Sequence, residues 1–406
     1  MIELQPKTPA GARLVATAEA LAEELAATVA EHDASGTYPY ANVALLRQAG
    51  YFIAPIPEQL GGQGVDSLFD TLVASSRLAR GDPSVTLGLN MHLLILMSMV
   101  RRWQVAVHRG DTRRAAAFGR SLERIVDDAV IIAAAVSEPK QHLTQPATRA
   151  SRDGQDWLLD GRKIFCTMSP AATVLLVSIT YEDHAGNPVY GYVEVPTTAA
   201  GVTIHDDWDA LGMRASGSNS VSFTGVRLPE SAVRGGFPIG DATGFIKRNL
   251  ANGLFHASAT LGIAEAAHAT AIERLAGHAD GHVRAAEQML VAESAIDLAA
   301  MRATFGRAAD LVDEFHTAEL AVDPTPAEWT TMFAEVQAAK MFVSQAAGRI
   351  VDRALTLSGG AGYMRTHALS RACRDVRAGG FMQPLGAIRG YDYLAQSELG
   401  MEPSLS

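Results

Sequence analysis

The hydrophobic period of this chain changes twice, once near residue 129 and again near residue 239, and few folds accommodate that pattern. Leu14, Ala18, Leu21, Leu25 and Val29 recur at spacings of three and four, the repeat of one helix face. After Asp33-Ala34-Ser35-Gly36 a second helix is predicted over Ala41 to Gln48, stopped by Gly50, and Pro55, Pro57 and Gly61-Gly62-Gln63-Gly64 then interrupt the chain. From about Ala129 to Gly236 the pattern is that of strands. Val130 to Val136 is continuously apolar, Thr173 to Ile179 is β-branched and apolar, and Val189 to Val195 partly alternates, with Gly, Asp and Pro turns between. Beyond Asp241 helices return, and Met332, Val336, Ala339, Val343, Ala347 and Ile350 form one long stripe. The expected class is α+β, in three parts: an N-terminal helical domain over 1–128, an antiparallel β-domain over 129–238, and a C-terminal helical bundle over 239–406.

The chain has 406 residues, enough for two or three domains with substantial cores. Asp and Glu number 44 against 34 Lys and Arg, so no broad basic footprint for nucleic acid exists, although a few local cations suffice to bind a small anion. The longest apolar stretch, residues 85–100, is ended too early by Arg101 and Arg102 for a membrane span and reads as a buried helix. No secretory signal pattern is seen. Cys166 and Cys373 are far apart and lack metal-ligand spacing, so a reduced, cytoplasmic setting without a structural metal is expected.

Local motifs follow one another in an informative order. Leu46-Arg47-Gln48-Ala49-Gly50, Pro55-Ile56-Pro57-Glu58 and Ala79 to Ser84 come first. Val136-Ser137-Glu138-Pro139, Gly161 to Thr167 and Trp208 to Val226 follow in the strand-rich part, and Leu357 to Tyr391 closes the series. Each is weak alone, but in this order and spacing they resemble the acyl-CoA dehydrogenase superfamily over nearly the whole chain.

That resemblance implies a flavin, FAD or FMN. A flat amphipathic ring needs an aromatic or apolar wall and donors near its nitrogens. Phe165 would supply the wall and Thr167 a hydroxyl toward N5, with Val136 and Ser137 at the adjoining strand end. Taken alone, the same residues describe a strand with one inward Phe and a surface Thr. Gly359, Gly360 and Gly362 would let backbone approach a pyrophosphate, or simply turn the chain between helices. In the family this loop reaches the flavin of a neighbouring subunit, so the resemblance implies an oligomer, commonly a homotetramer.

Desaturation of an acyl thioester requires a base for the α-proton. Where the family carries its glutamate this chain has Gln383, and where a subset places it instead, on the first helix after the β-domain, it has Asn252. A carboxamide removes no proton. Lys140-Gln141-His142-Leu143-Thr144 replaces a glycine-rich continuation, Ala276 to Glu287 lacks the family's Arg-x-x-Phe-Gly motif, and Leu385 stands at a threonine position. These departures point to the branch that receives reduced flavin from a separate reductase and passes one oxygen atom of O2 to a small substrate. His92 would polarise substrate or oxygen, or be a hydrogen-bonded histidine of an apolar helix. Gln383 would orient substrate, and Arg214, Asn252 and His256 would meet it, although Arg214 can equally brace its loop and His256 can simply pack. The competing expectations are an acyl-CoA dehydrogenase with a non-standard base, served by an electron-transferring flavoprotein, and a flavin-binding protein without turnover.

Overall fold

A computed structural model describes residues 2–139, 142–233, 236–277 and 283–405. Lys140 and Gln141, and residues 278–282, which belong to two of the expected departures, lie outside these described residues. Six helices come first: α1 (Pro9–Ala26), α2 (Val29–Ser35), α3 (Tyr40–Gln48), α4 (Leu68–Ala79), α5 (Pro83–His108) and α6 (Thr112–Asp127). The strands are β1 (Ile132–Ala135), β2 (Arg149–Asp153), β3 (Asp156–Cys166), β4 (Val174–Glu182), β5 (Pro188–Pro196), β6 (Val202–Ile204), β7 (Asn219–Leu228) and β8 (Phe237–Pro238). Then come α7 (Ala242–Asn249), α8 (Asn252–Ala276), α9 (Ala285–Ala321), α10 (Pro326–Ser358), α11 (Gly360–Tyr363), α12 (Ala368–Asp375) and α13 (Ala387–Glu398).

Local chemistry sets the helix starts. Asp82 caps α5 by accepting from the amides of Ser84 and Val85, with Pro83 in the first helical position, where its missing N–H has no partner to lose. Thr325 and Glu328 form a reciprocal capping box on α10. The apolar stripe from Leu14 to Val29 is continuous, but the helix breaks at Ala27 and Thr28, so Val29 opens α2. By length and composition α5 is apolar enough to cross a membrane, yet 83% of that window is buried within the fold, as befits a core helix.

The N- and C-terminal helices share one core. Leu14, Leu72 and Leu89 belong to the same continuous apolar cluster as Leu254, Leu261, Val336 and Val343. The sheet encloses a second core around Trp157, Leu175, Val177, Val193 and Phe223, and a third joins α5 and α6 to β1. Strand order is β6-β7-β3-β2-β4-β5-β8, with β1 beside β4. β1 runs parallel to β4, Ile132 opposite Val174, so the sheet is mixed rather than antiparallel as expected. The apolar run of β1 betrays burial, not direction, because a strand buried on both faces reads the same whichever way its neighbour points.

A buried carboxylate ties the helices together. Glu265 of α8 accepts from Arg302 Nε at 2.8 Å and from Arg80 Nε at 2.9 Å, and Arg77 Nη1 lies 3.5 Å away. Its side chain is 4% exposed. Removing one partner of a buried ionic cluster strands the others. Glu265→Ala is therefore expected to destabilise the protein by about 3 kcal/mol or more, read as a lower denaturant midpoint; an unchanged midpoint would show that the arginines find other partners.

Candidate functional site

The β3–β7 ladder loses register between Lys163 and Cys166, and Phe165 sits in that irregularity with φ of 55°. Positive φ on an aromatic residue is costly and persists only where surrounding structure enforces it. Here it turns the ring outward, leaving a large apolar side chain 58% exposed. Trp208 meets Phe165 edge-on, centroids 5.9 Å apart. The Trp208 indole donates to the Met213 carbonyl at 2.9 Å, and the Met213 amide donates to Asp375 Oδ1 at 2.6 Å. Asp375 is buried, and that burial raises its carboxyl to about 7, against the lowering effect of the Met213 hydrogen bond. The aromatic wall is thus anchored to the C-terminal helices.

Beside it the Thr167 amide donates to the Phe165 carbonyl at 3.0 Å. The Ser218 hydroxyl donates to Thr167 Oγ1 at 2.9 Å, and Ser216 lies 2.7 Å behind Ser218. A hydroxyl that already accepts has its own proton to offer a ligand. The Ser137 carbonyl accepts from the Ile164 amide at 2.9 Å, and the Val136 carbonyl from the Ser178 hydroxyl at 3.3 Å. Exposed ring, hydroxyl donor and adjoining strand end meet the requirements of an isoalloxazine, which would supply electron transfer and oxygen chemistry when bound.

An ion pair that the sequence reading missed holds these strands together. Glu138 Oε1 accepts from Lys163 Nζ at 2.6 Å, and from the Thr148 hydroxyl at 2.6 Å and amide at 2.8 Å; Oε2 accepts from the Ala147 amide at 2.5 Å. Burial alone would raise the Glu138 carboxyl, but Lys163 and these donors outweigh it and lower it. Burial pushes Lys163 down to about 8, opposed by Glu138. Gly161 makes the approach possible: its φ is 152°, and a Cβ there would lie 2.5 Å from Thr148 Oγ1. The sequence signal was a Glu just beyond one strand and a Lys within the next long one, 25 residues apart.

Asn252 opens α8 on the wall of a cavity of about 310 Å³, which lies between the start of α4, α5, the α7–α8 junction and α9. Its Nδ2 donates to Asn249 Oδ1 at 2.9 Å. Arg101, Lys247 and Arg248 line the same cavity. Arg101 pairs with Glu319 at 3.1 Å, whereas neither Lys247 nor Arg248 has an ion-pair partner among the described residues. Arg248 lies over the Tyr192 ring at 4.9 Å, with its Nε buried and without a hydrogen-bond partner. Just behind, burial and the charges of Arg248 and Arg101 push Arg102 down to about 9. Of the facing carboxylates, Asp313 accepts from the Leu68 and Phe69 amides and the Ser67 hydroxyl, and Asp66 lies within reach of Gln104. The remaining local character is cationic.

The other candidates lie elsewhere. His92 is fully buried; its Nε2 donates to the Phe52 carbonyl at 2.8 Å and its Nδ1 accepts from the Ile132 amide at 3.1 Å. Both nitrogens are engaged by backbone, so His92 joins α5 to β1 and has none left for a substrate. Arg214 donates to the Asp33 carbonyl at 2.8 Å and to Asp209 at 3.0 Å, a loop brace. His256, one turn beyond Asn252, is buried with Nδ1 unpartnered, and burial lowers it to about 3. Gln383 is half-buried on the turn between Phe381 and α13 and does not line the cavity. Phe165, Thr167, Val136 and Ser137 do not line it either. Gly359, with φ of 60°, lies by Arg274, close to the last turn of α8, while Asn252 opens its first. At 1.5 Å per residue the two are roughly 33 Å apart, too far for one chain's glycine turn to reach its own Asn252.

Comparisons with known proteins identify the family and the fold. Residues 12–104, 133–226 and 245–383 match the N-terminal, middle and C-terminal domain models of acyl-CoA dehydrogenases. L-evernosamine nitrososynthase of Micromonospora sp. is 34% identical over 98% of this chain and 92% of its own length, and amino sugar nitrososynthase DnmZ of Streptomyces peucetius is 34% identical over 98% and 95%. Among solved structures, KijD3 with FMN and dTDP-3-amino-2,3,6-trideoxy-4-keto-3-methyl-D-glucose has a TM-score of 0.89 at 32% identity, covering 98% of this chain and 95% of the other. TdsC of Paenibacillus sp. A11-2, with FMN and indole, shares the fold with a TM-score of 0.82 at 23% identity, covering 97% and 99%.

A neutral, buried His92 has a pH consequence. Burial lowers it from 6.5 to about 4, against the raising effect of the Phe52 hydrogen bond. The unfolded chain then binds a proton that the folded one refuses. The stabilising contribution is complete above pH 6.5 and is lost as pH falls toward 4. One pKa unit is about 1.4 kcal/mol, so the loss is on the order of 3 kcal/mol. His92→Gln should flatten stability between pH 4 and 6.5 while leaving flavin affinity unchanged; an equally steep profile in the variant would transfer the effect to other buried histidines.

Proposed function

Because this chain belongs to the acyl-CoA dehydrogenase family and is a flavin-dependent oxidoreductase, taking FAD or FMN and a small organic substrate, we propose that it is a monooxygenase that oxidises the amino group of a sugar carried on a nucleoside diphosphate. The observation that carries this reading is the pair of carboxamides, Gln383 and Asn252, at the two positions where the family places its base. An amine attacks oxygen through its lone pair. A carboxylate beside it would favour the ammonium form and remove that lone pair, whereas a carboxamide hydrogen-bonds the neutral amine without this penalty. The same substitution removes the proton acceptor that desaturation needs.

The remaining residues fit these roles. Lys247 and Arg248, without ion-pair partners among the described residues, suit the substrate's diphosphate, with Arg101 alongside. Phe165 walls the flavin, Thr167 donates toward it, and Val136 and Ser137 border it. In the first turnover an amine, O2 and reduced flavin give a hydroxylamine, water and oxidised flavin. A second turnover, consuming one more O2 and one more equivalent of reduced flavin, would convert the hydroxylamine to the nitroso compound with release of two waters. Reduced flavin comes from a separate reductase in the cytoplasm. The protein assembles as a homotetramer in which Gly359, Gly360 and Gly362 serve a neighbour's flavin. The roughly 33 Å from that turn to Asn252 supports this, as do the exposed side chains of Tyr363, Met364, Phe381 and Ile388 on the C-terminal arm.

Supplied with reduced flavin and O2, the protein should convert a dTDP-linked amino sugar to hydroxylamine and nitroso products detectable by mass spectrometry. Flavin bleaching by acyl-CoAs under anaerobic conditions, with no oxygenated sugar, would defeat the proposal. Gln383→Glu or Asn252→Asp should lower turnover at pH 7 by about tenfold, one pKa unit of the amine, and move the optimum upward. An unshifted optimum would separate the amine from these side chains. Arg248→Gln should raise KM for the nucleotide sugar far more than it lowers kcat.

A further inference from the structure

The chain buries a lysine beside the proposed active-site turn. Lys340 of α10 is 1% exposed, and no carboxylate lies within ion-pair distance of it among the described residues. Its Nζ donates instead to two carbonyls, that of Met382 and that of Leu385, the latter at 2.7 Å. These carbonyls bracket Gln383 and Pro384. A buried ammonium with only neutral partners is unfavourable, and an apolar side chain of similar volume would fill the space without that desolvation. Its neighbours Val336, Ala339 and Val343 on α10 are apolar. What an apolar residue cannot do is grip two carbonyls of one turn.

Gly253 of α8 faces this side chain: a Cβ there would stand 3.5 Å from Lys340 Cδ and 3.4 Å from Gln337 Nε2, ordinary contact distances. Gln337 is 1% exposed, and both its amide atoms, like His256 Nδ1, are buried without hydrogen-bond partners. None of these groups contributes a negative charge that would draw Lys340 away from the turn.

We propose that Lys340 is a positioning residue for the reaction: by holding the carbonyls on either side of Gln383 it fixes where the Gln383 amide stands, without itself touching substrate. The proposal rests on the reading above that Gln383 faces the substrate.

Two readouts test it on the flavin-loaded protein. In Lys340→Met and Lys340→Gln, backbone amides from Gly379 to Ala387 should exchange with deuterium about tenfold faster while the rest of the chain is unchanged. Turnover of the amino sugar should fall about tenfold in kcat with KM within about twofold, and adding either substitution to Gln383→Ala should cause no further loss, because both act through one side chain. Unchanged exchange at the turn, or losses that multiply in the double variant, would overturn the proposal. So would failure of both variants to fold or hold flavin, which would assign Lys340 to general stability. If the wild-type protein oxidises no amino sugar the functional reading falls, and the exchange measurement alone then decides whether Lys340 holds the turn.

Discussion

The site depends first on a buried ion pair. The end of β1 and the irregular stretch of β3 can lie side by side because Glu138 and Lys163 neutralise each other between them, with Thr148 and Ala147 satisfying the remaining carboxylate lone pairs. Either charge alone would be strongly unfavourable at that depth. Paired, they fix the distance between Val136-Ser137 and Phe165-Cys166-Thr167, the two segments that border the proposed flavin. The outward turn of Phe165 is then enforced from the other side by Trp208, Met213 and Asp375. The sheet and the C-terminal helices thus jointly position one aromatic ring.

A second constraint is the shared core of the two helical segments. Because α4 and α5 pack with α8, α9 and α10 in one apolar cluster, the cavity at the start of α8 has walls from both ends of the chain. Lys247 and Arg248 come from α7, Arg101 from α5, and Asn252 from α8. Cations so gathered, with few facing carboxylates left to pair with, suit the anionic substrate of the proposed function despite the net charge of −10. The same long α8 that supplies Asn252 at one end lies against Arg274 and Gly359 at the other, which separates the glycine turn from its own chain's cavity.

The carboxamides connect scaffold and chemistry. A fold whose relatives include dehydrogenases presents, at both base positions, groups that take up no proton and carry no negative charge to favour an ammonium. The proposed amine oxidation requires just that combination, since its nucleophile is a neutral nitrogen. The buried Lys340, which burial pushes down to about 7, donates to the Met382 and Leu385 carbonyls rather than to substrate, and so contributes placement.

Much of this was legible in the sequence. The switch from three-and-four spacing to continuous apolar runs and back located helices, sheet and helices, because burial on one helix face or within a sheet imposes those periods directly. The ordered motifs identified the family, and Gln383 and Asn252 were visible as substitutions. Strand direction was not legible, since β1 carries the same apolar run whether parallel or antiparallel to β4. Nor was the engagement of His92, because a histidine in an apolar helix looks alike in sequence whether its nitrogens meet backbone or ligand. The Glu138–Lys163 pair and the grip of Lys340 on Met382 and Leu385 join residues 25 to 45 positions apart, and the cavity gathers residues from Asp66 to Leu320. Sequence alone determined which elements form and which carboxylates are missing, as these are properties of local pattern and residue identity; only the tertiary structure decided which charges are paired, because pairing depends on distances that a linear chain does not encode.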